Sequence, residues 1–349
     1  LTAALEMKMP RDGEAAAEGD QEVDLVEVGR VGVHVGRGRH VGRLGAAVAH
    51  LDPRVEPGLV QDELNARVLP LGLLFGPDTS TSNRATIGGM IGNNSAGAHS
   101  IAYGLTVHHV LELTCYLADG SEVILRECGP EALRDKAKGN GLEGQIYRDL
   151  LRLVDEHRDE IRARYPKILR RVSGYNLDEF VKDQPFNLAR LVVGSEGTLA
   201  TVVEAKMRLV PRPKKTALSV IHYTDIQAAL ESSQEILETD PYAVELTDKM
   251  ILDLARGNLE QSKRMGFVQG DPAAIMIVEH AGEDEAEVKA KVEAVEALRA
   301  RHRIGYASTV TFVPEEQQSI WKLRKAGLGL RLGMKGDRKP IAFVEDTAV

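Results

Sequence analysis

Residues 76–104 read GPDTSTSNRATIGGMIGNNSAGAHSIAYG. Large aliphatic side chains occur only at Ile87, Met90, Ile91 and Ile101, and small or polar residues fill most of the remaining span. Composition leaves two readings open. One is a flexible surface loop too polar to bury a core. The other is a backbone that lies against a ligand, since glycine tolerates positive φ and close approach, and successive N–H groups form anion-binding nests. In TIGGMIGNNSAGAHS, four glycines (Gly88, Gly89, Gly92 and Gly97) alternate with the amides of Asn93 and Asn94 and the hydroxyl of Ser95. Such a chain could wrap a pyrophosphate and hydrogen-bond a polar ring.

The flanks are orderly. Upstream, RVEPGLVQDELNARVLPLGLLFGP predicts a short strand, a turn at Pro57 and Gly58, and a helix through Leu59, Leu64 and Val68 that stops before Pro70 and Gly72. Downstream, TVHHVLELTCYLADGSEVILRE places Asp119 and Gly120 between two β-rich runs, a strong hairpin signal. Helical spacing follows in Ile146, Leu150, Leu151, Val154 and Ile161, ended by Pro166, and FNLARLVVGSEGTLATVVEAKMRLVPRP then reads as strand, turn, strand. Pro211, Pro213, Lys214 and Lys215 mark a domain boundary. Beyond them TALSVIHY, YAVELTD, AAIMIVEHA and GYASTVTFV read as strands that alternate with four helical segments. That alternation predicts a ferredoxin-like α+β sheet with helices on one face.

The chain of 349 residues is long enough for two domains. Its net charge of -8 argues against a general nucleic-acid binder, which needs a basic surplus. No apolar run approaches the roughly 18 residues of a membrane-spanning helix. Acids in LTAALEMKMPRDGEAAAEGD occupy the place of a signal's apolar core, so no targeting signal is read there. The two cysteines, Cys115 and Cys128, form neither a metal cluster nor a disulfide framework, and a reducing, cytoplasmic setting is expected.

Residue order decides what composition leaves open. FGPDTSTSNRATIGGMIGNNSAGAHSIAYG, HVLELTCYLADGS and LVVGSEGTLATVVEAKMRLVP together resemble the FAD-linked 2-hydroxyacid dehydrogenases of the vanillyl-alcohol-oxidase superfamily, similar to D-lactate and D-2-hydroxyglutarate dehydrogenases and the glycolate oxidase D subunit. SIWKLRKAGLGLRLGMKGDRKPIAFVEDTAV is most similar to large members that fuse the flavin module to an iron–sulfur module. The resemblance runs from about residue 54 to 349. It implies an α+β fold in three parts: an atypical segment 1–53, mis-framed or disordered; a PCMH-type FAD-binding domain 54–213 with an incomplete first lobe; and a truncated ferredoxin-like cap 214–349.

The resemblance also implies sites. Pro77, Asp78, Ser80, Ser82, Gly88, Gly89, Asn93, Asn94, Ser95, Gly97 and Ser100 would lie along the FAD, and Asn94 matches a column where the family often has Asn. Gly194, Glu196, Gly197 and Thr198 would form a second cofactor-facing turn, with Val202 and Val203 beside the adenine-ribose. Each has a plainer reading: Glu196 as a solvated turn residue, Ser80 and Ser82 as caps of local backbone groups. A guanidinium fork suits a 2-hydroxyacid carboxylate, and Arg324 matches the family's carboxylate-binding arginine, with Lys339 where a second cation follows. The alternative for both is a solvated surface. Trp321 is expected in the cap core, His108 and His109 at a strand edge, and His280 at a strand end without a catalytic role.

In the family, a D-2-hydroxyacid gives its hydroxyl proton to a base and a hydride from Cα to flavin N5. Electrons then go to an acceptor other than a nicotinamide: a quinone, a cytochrome, a flavoprotein or an iron–sulfur module. An acceptor at the inner membrane would make the protein peripheral to it. Two family features have no match: the early Pro-x-Gly-Gly-Gly-Thr loop, for which GRGRHVG has the wrong spacing, and the histidine-containing segment expected beyond Val349. The catalytic base is therefore expected outside this chain, and the polypeptide alone is expected to be weakly active or inactive. A nicotinamide-dependent dehydrogenase is a poorer reading, because the Gly-rich stretch precedes a hairpin rather than a long helix. A non-catalytic flavin-binding remnant is the competing one.

Overall fold

The computed structural model describes residues 26–28, 31–33, 35–36, 50–171, 174–334 and 336. In the first domain an antiparallel sheet runs in the order Val26–Val28, Val31–Val33, Arg54–Val55, Thr201–Met207, Val110–Tyr116, Glu122–Cys128, Phe186–Asn187. The hairpin forms where Asp119 and Gly120 predict it: Gly120 takes φ 81°, and Asp119 Oδ1 accepts from the Ser121 amide at 3.0 Å. Leu113, Leu125 and Val123 turn inward onto Leu64, Tyr147 and Leu150, while the pairs of Arg54 with Glu112 and Glu204 hold the sheet's side chains together at 2.5 and 2.7 Å. The first helix is Gln61–Val68, and the helical spacing around Leu150 becomes two helices, Leu142–Glu156 and Arg158–Arg164.

Two local readings change. FNLARLVV is not one strand: Phe186–Asn187 pairs, then Ala189–Val192 is helical, because Asn187 Oδ1 caps the Ala189 amide at 3.0 Å and turns the chain. Pro130–Lys138, which no strong apolar period announces, is a helix with proline in its first turn and no fully buried residue.

The second domain follows the alternation closely. Its four strands order as Ala243–Asp248, Ala274–Gly282, Lys215–Tyr223, Ala307–Thr311, every pair antiparallel. That is the ferredoxin-like order, built from two split β-α-β crossovers. Helices Ile226–Leu237 and Glu285–His302 cover one face, where Ile221, Tyr223, Met276 and Val278 meet Ile236, Val295 and Leu298. The other face is covered too, contrary to the one-sided expectation. Lys249–Arg256, Ser262–Phe267 and Pro314–Leu332 pack Leu252, Phe267 and Ile320 on Leu218, Val220, Ile275 and Ile277. Residues 217–223 are accordingly buried on both sides, which is why TALSVIHY is nearly continuous in apolar residues rather than alternating.

Candidate functional site

Two of the small-residue motifs dock on each other. The helix Ile87–Asn93 starts at Thr86, whose hydroxyl accepts from the Gly89 amide, and ends at Asn94 with φ 50°. Asparagine is one of the few L-residues that adopts this region readily. The turn at 194–198 lies across its end: Gly194 N–H donates to Ile91 O at 2.8 Å and Glu196 N–H to Gly92 O at 3.0 Å. Gly194, Glu196 and Gly197 all have positive φ, at 84°, 53° and 73°. The Thr198 hydroxyl donates to Ser195 O at 2.6 Å and lies 3.0 Å from the Tyr175 hydroxyl. Between the motifs opens a cavity of ≈260 Å³ bordered by Pro57, Gly88, Gly92, Ser195, Gly197, Thr201 and Val202. Beside it the register of Thr201–Met207 against Val110–Tyr116 shifts between Val202 and Glu204, so Val203 sits in a bulge. Bulges re-aim side chains at such rims.

The other expected contact residues divide by partner. Asn94 is buried; its Oδ1 accepts from Val107 N–H at 2.9 Å, while Nδ2 is buried with no partner among the described residues. An orphaned buried donor of this kind calls for a ligand or a water. Asn93 Nδ2 donates to Ser95 Oγ at 3.3 Å, Ser95 O accepts from the Thr106 amide and hydroxyl, and Gly97 N–H donates to Ser100 Oγ at 2.8 Å. These three polar side chains hold the segment's own shape. Pro77 O accepts from Gln61 Nε2, and Gly88 packs on Pro57. Ser82 Oγ accepts from Lys325 Nζ at 3.4 Å, and Ser80 borders an interdomain cavity of ≈440 Å³ with Arg84, Gln261 and Lys325.

Arg324 belongs to the helix over the cap sheet. Its Nε and Nη2 donate to Glu245 Oε2 at 2.9 and 2.6 Å, so it is not a freely solvated helix-face residue. Lys339 lies outside the described residues. His109 is buried rather than at an edge, against Phe75 and with Nε2 2.8 Å from Tyr103 O, and burial pulls its pKa down. His280 is buried with Nε2 3.2 Å from the Thr239 hydroxyl, and His108 Nδ1 accepts from Leu105 N–H at 3.0 Å.

The residue that sequence reasoning passed over is His99. Asp78 accepts from its backbone amide at 2.9 Å and lies 2.8 Å from Nδ1, while Glu279 of the cap's inner strand lies 2.6 Å from Nε2. Its ring rests against Tyr242 and Trp321 at 4.5 and 5.6 Å, and the Tyr103 and Tyr242 hydroxyls meet alongside. Burial alone would lower the imidazole pKa; the hydrogen bonds and charges of Asp78 and Glu279 outweigh it and hold it at about 10. Trp321 is thus part of the domain seam, not only of the cap core. Two sequence signals were available: the only titratable ring inside SAGAHS, and Glu279 inside the apolar run AAIMIVEHA, where a carboxylate needs a partner.

Known families match two parts of the chain. Residues 43–126 match the family described as FAD binding domain, and 212–349 match FAD linked oxidases, C-terminal domain. The chain thus carries an FAD-binding domain and an FAD-linked-oxidase C-terminal domain. The D-2-hydroxyglutarate dehydrogenase of Pseudomonas putida is 33% identical over 350 residues, 97% of this chain and 34% of that protein. That of Pantoea ananatis is 36% identical over 309 residues, 85% of this chain and 30% of its own length. The Bacillus subtilis glycolate oxidase subunit GlcD is 28% identical over 310 residues, covering 86% of this chain and 51% of that protein. The chain therefore spans about a third of the length of the dehydrogenases it matches. An alkyldihydroxyacetonephosphate synthase structure shares the fold, with a TM-score of 0.51 at 15% identity over 80% of this chain and 42% of its own.

The FAD-binding and FAD-oxidase C-terminal domains make FAD the cofactor, and the chain's own residues fit that group. Gly88, Gly92, Ser195 and Gly197 leave the cavity wall open, the positive-φ turn exposes backbone, and the unpartnered Asn94 amide borders a separate cavity of ≈420 Å³ with Val107 and Asn176. At ≈260 Å³ the cavity holds part of a dinucleotide rather than all of it. No helix among the described residues is long and apolar enough to cross a membrane.

Proposed function

We propose that this protein oxidises a D-2-hydroxyacid to the 2-oxoacid and passes the electrons to an acceptor that is not a nicotinamide. The supporting observation is the joint one: two small-residue motifs docked around a cavity, in a chain 33–36% identical to proteins named D-2-hydroxyglutarate dehydrogenase. Those names put D-2-hydroxyglutarate first among substrates, ahead of the lactate and glycolate suggested by more distant relatives. They also favour an enzyme over a non-catalytic remnant.

In this reading Gly88, Gly89, Asn93, Asn94, Gly194, Glu196, Gly197, Thr198 and Val203 hold the nucleotide side of FAD, and Pro77, Asp78, Ser80, Ser82, Ser95, Gly97 and Ser100 shape the strip toward the cap. Bound flavin supplies the two-electron acceptor. Arg324 offers a guanidinium to the substrate carboxylate, oriented by Glu245 on one edge, and Lys339 supplies a second cation. The interdomain cavity by Ser80 and Lys325 is the way in. The test is the absorption spectrum of the purified chain: bands at roughly 370 and 450 nm are expected of bound flavin. Anaerobic bleaching by a panel of D-2-hydroxyacids then ranks substrates. A folded, colourless protein that stays colourless with added FAD refutes the reading.

A further inference from the structure

We propose that His99 is the positioning residue of the domain seam: an imidazolium clamped between Asp78 of the flavin strip and Glu279 of the cap, which fixes how the Arg324-bearing face meets the flavin strip. The inference rests on the function proposed above only for its last clause.

Geometry carries it. Both ring nitrogens face carboxylate oxygens, at 2.8 and 2.6 Å, and the two oxygens come from different domains, 201 residues apart in sequence as 279 less 78. An ionised carboxylate only accepts, so both nitrogens must donate, and an imidazole donates from both only when charged. The backbone of His99 is tied down as well, its amide donating to the second Asp78 oxygen at 2.9 Å. The groups packed against the ring are Tyr242 and Trp321 from the cap, with Tyr103 reaching the Tyr242 hydroxyl. None of them is cationic, so burial is what opposes the charge, and the two carboxylates outweigh it. On the cap, Glu279 pairs in register with Ala243, two residues from Glu245, and Trp321 precedes Arg324 by one helical turn. A shift of His99 is therefore passed to the Glu245–Arg324 pair through both the strand pair and the helix.

Three readouts test this on the 349-residue chain. Ring-nitrogen NMR at about pH 8, above the ordinary histidine range, should show one doubly protonated imidazole that is absent in His99→Gln. Trp321 is the only tryptophan, and imidazolium quenches indole emission, so His99→Gln should brighten it. With flavin bound, His99→Gln should keep the visible bands and slow reduction by D-2-hydroxyglutarate about ten- to a hundredfold, and His99→Arg, which keeps a two-sided cation, should recover most of the loss. A neutral His99 ring at that pH, or Trp321 emission unchanged in a folded His99→Gln, overturns the clamp. If the wild type binds no flavin, the proposed function fails while the first two readouts still decide the seam.

Discussion

The sharpest quantitative prediction concerns Gly97. An added Cβ would fall inside the envelope of the Asp78 carbonyl and 2.6 Å from Asp78 Oδ1. The clash is with backbone, so no rotamer change relieves it, and strip 77–80 must separate from strip 97–100. That movement breaks the hydrogen bonds that Asp78 makes to the His99 amide and ring, at 2.9 and 2.8 Å. Overpacking costs about 1–3 kcal/mol. Each lost hydrogen bond to a charged group adds about 1.5–3 kcal/mol. Gly97→Ala should therefore destabilise the chain by about 3 kcal/mol or more and weaken FAD binding, read from urea unfolding and from titration of the ~450 nm band. Gly89→Ala is the matched control. Its Cβ would meet only the Thr86 hydroxyl at 3.3 Å, inside a helix where alanine is preferred, and a change within about 1 kcal/mol is expected. Equal stability of Gly97→Ala and wild type would refute the close approach and the seam geometry built on it.

Other outcomes follow from the same contacts. His99 has its folded pKa raised, so the stability it contributes is fully present below its unfolded value near 6.5 and is lost as pH rises through about 10; the difference in unfolding free energy between wild type and His99→Gln should shrink across that window. Below it, the loss in His99→Gln should be about 3–5 kcal/mol, as when one partner of a buried pair is removed, and a value under about 1 kcal/mol counts against the clamp. Arg324→Ala should leave the flavin spectrum intact and weaken substrate binding, and Glu245→Gln should change substrate affinity in either direction without touching flavin content; unchanged bleaching in both removes the pair from the site. Leu64→Ala, with no exposed surface in the first domain's core, should cost about 2–5 kcal/mol by chemical denaturation without altering the cap.

Much of the architecture was written locally. The hairpin at Asp119–Gly120 needs only a positive-φ residue between β-branched runs, and the cap's strand–helix alternation needs only apolar period and caps such as Asp225, Asp248 and Asp284. The family and its cofactor could be read from residue order in 76–104 and 194–198. The burial of the cap sheet on both faces was also legible in principle, in the nearly continuous apolar run of TALSVIHY.

The site's working contacts could not be read that way, because their partners are distant in sequence. Asn94 looks like one amide of a pair until Gly194 and Val107 close around it and leave Nδ2 unpartnered. Ser95 and Ser100 read as cofactor contacts; in the fold Ser95 Oγ accepts from Asn93 Nδ2 and Ser100 Oγ from the Gly97 amide. His99 carries no motif of its own. Its charge follows from Glu279 arriving from the other domain, and Arg324 gains its orientation from Glu245, 79 residues away. Sequence by itself determined the hairpin, the strand–helix alternation of the cap and the residue order that carries the family likeness, since periodicity, turn chemistry and residue order act within a few positions. Only the tertiary structure decided which polar atoms are satisfied and which remain for a ligand, because desolvation and charge pairing depend on what folds against them.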